Sequence, residues 1–592
     1  MQYMSDEYHA SMAQPIRNRS HIRAEIYQDG GDTISFSEDQ IVNFSRHDFC
    51  SPISESLPTS DMTLVIDNRD MTYDPDNENS PITLLQRGLR MMVQMGYEID
   101  GDGTITWIPA FYGYLSDWDA SDTEAIFTAQ DRVSQMSAEY AGGVQGNSVT
   151  NYFSSVAEDV FDTAGMASTE YQLNINSATT KNAVPVVPCS EALQLVANAS
   201  GAAFYEHRNG NIVLESENPS VSNIYANAES AYSDTSSVIG STDNAYGLQA
   251  YNYTIVGKSL IAPADTSDKL DGTGFTSNVV ADSTGAFSTN PQLTLLLSNT
   301  ATFSQVAIRF QGSVPTEFEL VGVNYLLGTI IVDETVTNVS EYTVVSADFT
   351  NVNQLTFIFK SAEEGAAVCV TSISFSPVYD YVITRQMMTA SPKAKRPERV
   401  KQITVNKHSW KRASARSDVY SESFTLASGE TREVTVTWTE PCDASSSSVY
   451  SVTSDNSNIT VSNITRNSRS ATFTLTASAA GTATITVNAY EMIDTVSVGE
   501  QESYNTNGLD VSWDNPLCDG DTAADMLEVL SDYYLGKVDY EINWRGDPCV
   551  DVNDKLYLEL KDGSTVPIRI YENTLQYNGV LSGIIRARRV EL

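Results

Sequence analysis

The sequence predicts a mainly β, multidomain protein with α+β parts, and three observations carry that expectation. Apolar residues alternate with polar ones at period two in many places: Val306, Ile308 and Phe310; Leu355, Phe357 and Phe359; Val434, Val436 and Trp438; Phe473, Leu475 and Ala477; Ile485, Val487 and Ala489. Each is the mark of a strand with one buried face. Helical periodicity is confined to three short stretches. The chain is also long: 592 residues exceed a single core, and at about 150 residues per domain they divide into about four.

In chain order, residues 1–135 read as strands around one short turn, which Ser80-Pro81 opens with proline at the first helical position. Residues 136–245 hold two helices and a hairpin turning at Asn209-Gly210. In the first helix Ser155 and Glu158 have capping-box spacing; Val156, Ala157, Val160, Phe161 and Ala164 form the stripe, and Gly165 stops it. The second begins near Ser190, buries Ala192, Leu193, Val196 and Ala197, and ends at Gly201. Residues 246–257 and 380–420 are strand-like, and 258–379 are nearly helix-free with evenly spaced strands, as in a β-sandwich. Residues 420–504 form a second Ser/Thr-rich β segment. Residues 505–592 carry the third helix, from Thr522 with Asp525 three on to Gly536, followed by a β meander.

Composition narrows the function. Asp and Glu number 76 against 35 Lys and Arg, a formal net charge of -41. Neutralising duplex phosphates needs many cations, so DNA binding by the surface as a whole is excluded. No run approaches the roughly 18 apolar residues of a spanning helix, and Met1 to Ala10 has no apolar stretch of the kind a cleaved secretion signal needs. Six widely spaced cysteines without a CxxC read as separate, reduced, buried thiols.

Most chemical motifs fail on inspection. Glu98 to Pro109 imitates a calcium loop through Glu98, Asp100, Asp102 and Gly103, but proline stands where the bidentate glutamate belongs. Asp74, Asp76 and Glu78 read as a solvated turn, and Arg545-Gly546-Asp547 as a strand leaving through a tight turn rather than an adhesion motif. The five histidines (His9, His21, His47, His207, His408) make no zinc spacing. No GxSxG, phosphate loop or dinucleotide fingerprint occurs, and no cofactor or metal site is expected. Cys189, expected at a helix N-terminus that lowers a thiol pKa, and His207 are the nearest candidates for a nucleophile pair; a small buried cysteine is the plainer reading. The charge anomaly is 393–416, with nine Lys and Arg against Glu398 alone. It is either a solvated hairpin or a surface that docks on acidic protein, with Lys393, Lys395, Arg396, Arg399 and Lys401 as candidate subunit contacts.

One resemblance emerges from the order of the N-terminal blocks. Leu57-Pro58-Thr59-Ser60-Asp61-Met62-Thr63-Leu64-Val65-Ile66-Asp67-Asn68 leads to Tyr73-Asp74-Pro75, then Pro81 to Gly88, Phe111-Tyr112-Gly113-Tyr114-Leu115-Ser116-Asp117-Trp118 and Ala129-Gln130-Asp131-Arg132. This resembles the baseplate hub, or tail-associated, proteins of bacteriophages. The two helices with their hairpin look like the hub's second domain. Asn515-Pro516-Leu517, the third helix, Tyr540 to Pro548 and Asn578-Gly579 look like its C-terminal return, although Val552-Asn553-Asp554 replaces the usual Gly-Asp step. The 258–379 segment is similar to galactose-binding-like jelly rolls, on Thr316 to Leu320, the Leu355 strand and Ile373-Ser374-Phe375; 420–504 looks Ig-like.

The resemblance implies two barrel-like hub domains, 1–135 and one assembled from 246–257, 380–420 and 505–592, with 136–245 as an α+β hub domain and 258–379 as an insertion. It implies a non-enzymatic homotrimer in the virion, at the tail tip, assembled in the bacterial host cytoplasm. Its partners would be the tail tube or distal tail proteins, the end of the tape-measure protein and a central spike or fibre. DNA would pass through without binding, repelled by an acidic lumen. The alternative is a receptor-binding adhesin that takes host glycan through 258–379. A wall hydrolase acting through Cys189 is a third reading.

Overall fold

In the computed structural model the described residues are 20–28, 31–74, 76–98, 105–140, 151–175, 179–208, 210–216, 221–227, 230–232, 245–249, 275–277, 279–310, 314–324, 327–375, 381–535 and 537–590, with Tyr8, Ser11, Met12 and Gln14. The calcium-like tip at 99–104, Pro75, Asn209 and Gly536 lie outside them.

The largest sheet has 13 strands. Its path runs Thr33–Phe36, Ser20–Tyr27, Arg90–Glu98, Ile105–Ala120, Glu124–Gln130, Thr59–Asp67, Ile41–Phe49, Thr565–Tyr577, Leu581–Arg589, Asp539–Trp544 and Lys393–Lys395. Val382–Ile383 and Lys555–Glu559 pair in parallel beside it. Two barrel-like domains were expected; among the described residues no strand pairing closes the sheet into a barrel, and Ile41–Phe49 pairs with Thr565–Tyr577, from Phe44↔Tyr577 to Phe49↔Glu572. One end of the sequence thus hydrogen-bonds to the other. The cores follow the alternation: Met62, Leu64, Ile66, Phe127 and Ala129 are buried on the N-terminal side with Leu575 and Tyr577. Ile542, Trp544, Ile568, Ile570 and Ile585 are buried on the C-terminal side.

The helices fall close to where expected, with different caps. The first is Phe153–Thr163, so Ser155 lies inside it; Phe153, fully buried, extends the helix towards its N-terminus. Gly165 (φ +72°) ends it, and the N–H of Met166 returns to the Phe161 carbonyl, as an αL stop requires. The second is Cys189–Ala199, its first N–H groups donated to the carbonyls of Ala138 and Met136, and Gly201 (φ +66°) follows it. The third is Thr522–Tyr534. Asp519 performs its capping, accepting from the N–H groups of Asp521 (2.9 Å) and Thr522 (3.2 Å). Beneath the first two helices lies a sheet of Tyr171–Asn174, Ile212–Glu215 and Ala203–Glu206.

A nine-stranded sheet encloses a core of Leu293, Leu295, Val306, Ile308, Phe310, Phe318, Leu320, Leu355, Phe357 and Phe359. Its two long strands, Gln292–Phe310 and Tyr342–Ala362, shift register between Leu296 and Gln305, and residues from both halves of each line this one core. Val221–Asn227 and Ala245–Gln249 belong to the same sheet, ahead of the expected start at 258.

The remaining architecture hangs on two strands. Val400–Leu426, with 27 residues, pairs antiparallel with Gly481–Ser503, with 23, from Gln402↔Ser503 to Leu426↔Gly481. Near one end Val400, Ile403 and Val405 pack with Trp513, Met526 and Leu530. Near the other, Leu426, Ile485, Val487 and Ala489 pack with Val436, Phe473 and Leu475 in a two-sheet sandwich. The expected boundary at 420 therefore falls inside a continuous strand.

Candidate interaction surface

The large sheet carries charge on both faces where the chain ends meet. Period two sends the side chains of consecutive residues to opposite faces. On Ile41–Phe49, His47 points outward while Arg46 and Asp48 point into the protein, 2% and 5% exposed.

The outward face bears a ladder across six neighbouring strands. Asp61 meets His47 Nδ1 at 3.3 Å, and His47 Nε2 lies 3.4 Å from Glu572. Glu572 accepts from Arg586 at 2.9 Å, Arg586 Nε lies 3.5 Å from Glu541, and Glu541 pairs with Lys393 at 2.6 Å. Acid and nitrogen base alternate throughout, so no like charges face each other directly.

The inward face bears a buried network. Arg46 Nε lies 2.7 Å from Asp48, and Arg208 Nε donates to Asp551 at 2.9 Å. Arg46 also donates to the Ala110 carbonyl and Arg208 to that of Val550. Arg208 comes from the Ala203–Glu206 hairpin and Asp551 from the C-terminal region, so three segments distant in sequence converge here. Burial alone would raise Asp551; the guanidiniums of Arg208 and Arg46 outweigh it and hold the carboxyl well below its usual range. Alongside, Glu206 Oε2 accepts the Arg132 N–H at 2.5 Å. Burial and the neighbouring Asp131 push Glu206 up to about 8, and burial pushes Asp131 up to about 6 despite N–H donors from Ser134 and Ser60.

None of Arg46, Asp48, Arg208 and Asp551 stood out as a site in the sequence. A usable signal was present: Arg46 and Asp48 share the strand parity of Phe44, and charges on an apolar parity are charges inside.

The basic stretch is no hairpin. Lys393–Lys395 forms the last strand of the large sheet, 396–399 has no regular secondary structure, and the rest rides on Val400–Leu426. Much of its charge has internal partners. Lys393 pairs with Glu541 and Lys401 with Asp510 at 3.0 Å; Arg412 pairs with Asp443, and Arg412 and Arg416 lie over the Tyr490 ring at 5.2 and 5.5 Å. Lys395, Arg396 and Arg399 are exposed and have no side-chain partner among the described residues. They form a cationic corner at the edge of the sheet. Lysine and proline (Lys393, Lys395, Pro392, Pro397) at a short edge are the usual protection against indiscriminate strand pairing.

The other sequence candidates resolve structurally. Asp547 is fully buried; the hydroxyls of Tyr8 and Tyr381 donate to it at 2.8 Å each, and Gly546 has φ +71°, so Arg545-Gly546-Asp547 is a turn anchored in the core. Cys189 stands at its helix N-terminus but is fully buried in an apolar core, and that burial raises the thiol instead of lowering it. Its proposed partner His207 lies within electrostatic reach of Asp551. Cys50, Cys189, Cys442, Cys518 and Cys549 are buried and unpaired, with burial pushing Cys50 and Cys442 up to about 12 and Cys518 to about 11. Burial of this kind disfavours the thiolate, the nucleophilic form of cysteine. Among the described residues no cluster of His, Cys, Asp and Glu could hold a metal, and no helix is long and apolar enough to cross a membrane.

No family model matches the chain, and no curated protein matches it. Among solved structures it is similar to the tail protein from Neisseria meningitidis MC58, with a TM-score of 0.38, 8% identity and 96% of each chain covered. It is similar also to the 43 kDa tail protein of prophage MuSo2 from Shewanella oneidensis, with a TM-score of 0.36, 8% identity, and 96% of this chain and 97% of that one covered. Wild-type discoidin II from Dictyostelium discoideum is similar over 39% of this chain and 86% of its own, at a TM-score of 0.17 and 11% identity. The first two are tail proteins, the class the sequence resembles; likeness at this level carries no functional argument.

Proposed function

We propose that this protein is a non-enzymatic structural component of a bacteriophage tail. It acts as a tail-tip hub, in three copies around the passage through which DNA leaves, between the tail tube and a central spike or fibre. One observation carries the reading. The N-terminal block at 57–132 and the C-terminal block at 515–579, which resemble the two ends of a hub chain, contribute strands to the same continuous sheet. A sheet that binds the two ends of the chain, sealed inside by paired charges, suits a part that bears load rather than one that opens.

The charge supports the same role. With a net charge of -41, an opening lined by this protein repels phosphates, so a polyanion passes without adhering. The exposed corner of Lys395, Arg396 and Arg399 then faces protein.

The test is the mass of the purified full chain in solution, with imaging of the particles. A three-copy ring with an acidic opening is expected. A monomer at micromolar concentration overturns the reading, and a monomer that captures host polysaccharide would move the function to the adhesin alternative.

A further inference from the structure

The strand Gly481–Ser503 presents a long open edge. On its outer side Tyr450–Ser454 pairs with it only from Ile485 to Ala489, and the last contacts beyond are the Cys442↔Glu491 bridge and the Met492 N–H on the Pro441 carbonyl. From Ile493 to Ser503 that side has no strand partner among the described residues. Ile493, Val496 and Val498 are 58%, 51% and 52% exposed there. Such an edge, rich in β-branched residues and without lysine or proline, invites strand addition unless something covers it. It is also acidic: Glu500 and Glu502 are exposed, and no basic residue occurs anywhere in 481–503.

The other edge of interest has the opposite character. The corner of Lys395, Arg396 and Arg399 is short and, apart from Glu398, basic, and these three side chains have no partner among the described residues. Two copies of a chain this acidic repel one another, so a stable contact between them needs a local cation surface against a local anion surface. We infer that the open edge at 493–503 of one copy seats the corner at 395–399 of a second copy, head to tail. This rests on the self-assembly proposed above and names its contact. Pro392 and Pro397 restrict backbone pairing to the few residues between them, so the side-chain charges select the partner. Because the two surfaces differ, the contact is heterologous, and repeated contacts of that type close into a ring when the rotation allows.

Charge reversal tests the inference directly. The full chain is prepared with Lys395→Glu, Arg396→Glu and Arg399→Glu; with Glu500→Lys and Glu502→Lys; and with all five changes. All are exposed positions, and circular dichroism checks the fold. Each partial reversal is expected to weaken self-association at least tenfold by sedimentation, and the five-fold variant to regain it. An assembly indifferent to the Glu500/Glu502 reversal, or one not restored by the combination, overturns this contact while leaving the proposed function standing. A wild-type chain that is monomeric removes both.

Discussion

The two faces of the large sheet at the meeting of the chain ends hold the same kinds of side chain under opposite conditions. Outside, Asp61, His47, Glu572, Arg586, Glu541 and Lys393 alternate in water. Inside, Arg46, Asp48, Arg208 and Asp551 are enclosed by protein. Exposed pairs gain little, because water screens them and long side chains lose freedom. Buried pairs gain little net stability either, since desolvation offsets attraction, but losing one partner strands the other. The outer ladder therefore sets register and discourages wrong pairings, whereas the inner network makes the three segments depend on one another.

The sharpest break is Asp551→Ala. It leaves Arg208 buried without its carboxylate and should cost about 3–5 kcal/mol in denaturant unfolding. A loss below about 1 kcal/mol would mean the network does not hold the segments together.

Next comes pH. The raised Glu206 binds its proton more tightly in the folded chain than in the unfolded one. Its contribution is therefore fully present below the ordinary glutamate range and is lost as pH rises towards about 8; Asp131 behaves likewise up to about 6. Glu206→Gln keeps an acceptor for the Arg132 N–H and removes the charge. Its melting temperature should exceed that of wild type at pH 8 by several degrees and match it near pH 4. Equal curves at both pH values would contradict the burial argument.

The smallest effect belongs to the outer face. Arg586→Ala should cost about 0.2–1 kcal/mol, shrinking further as salt is added. A cost as large as that of Asp551→Ala would erase the distinction between the faces.

Much of this was legible in the sequence, for local reasons. Alternations such as Leu355, Phe357 and Phe359 found their core, and Gly165 and Gly201 end their helices, because parity and positive φ are properties of a few adjacent residues. The pairing of Ile41–Phe49 with Thr565–Tyr577 was not legible, since nothing local to either strand names a partner at the far end of the chain. The boundary expected at 420 coincides with a local signal, a register shift between Asp418 and Tyr420, but Val400–Leu426 continues through it, and strand continuity across such a shift depends on the distant partner Gly481–Ser503. Of the site, the basic stretch was visible as a run of charge. That Lys393, Lys401 and Arg412 are engaged within the chain, leaving Lys395, Arg396 and Arg399 to face outward, depends on acids from distant strands.

The paired strands Val400–Leu426 and Gly481–Ser503 have a mechanical consequence. At about 3.3 Å per residue, 27 residues make a beam some 90 Å in contour, braced by a core near each end. Pull or twist applied to the outlying sandwich travels down that beam to the third helix. The beam's register shifts at three places, between Val405 and Asn406, Arg412 and Arg416, and Asp418 and Tyr420, the second being the widest.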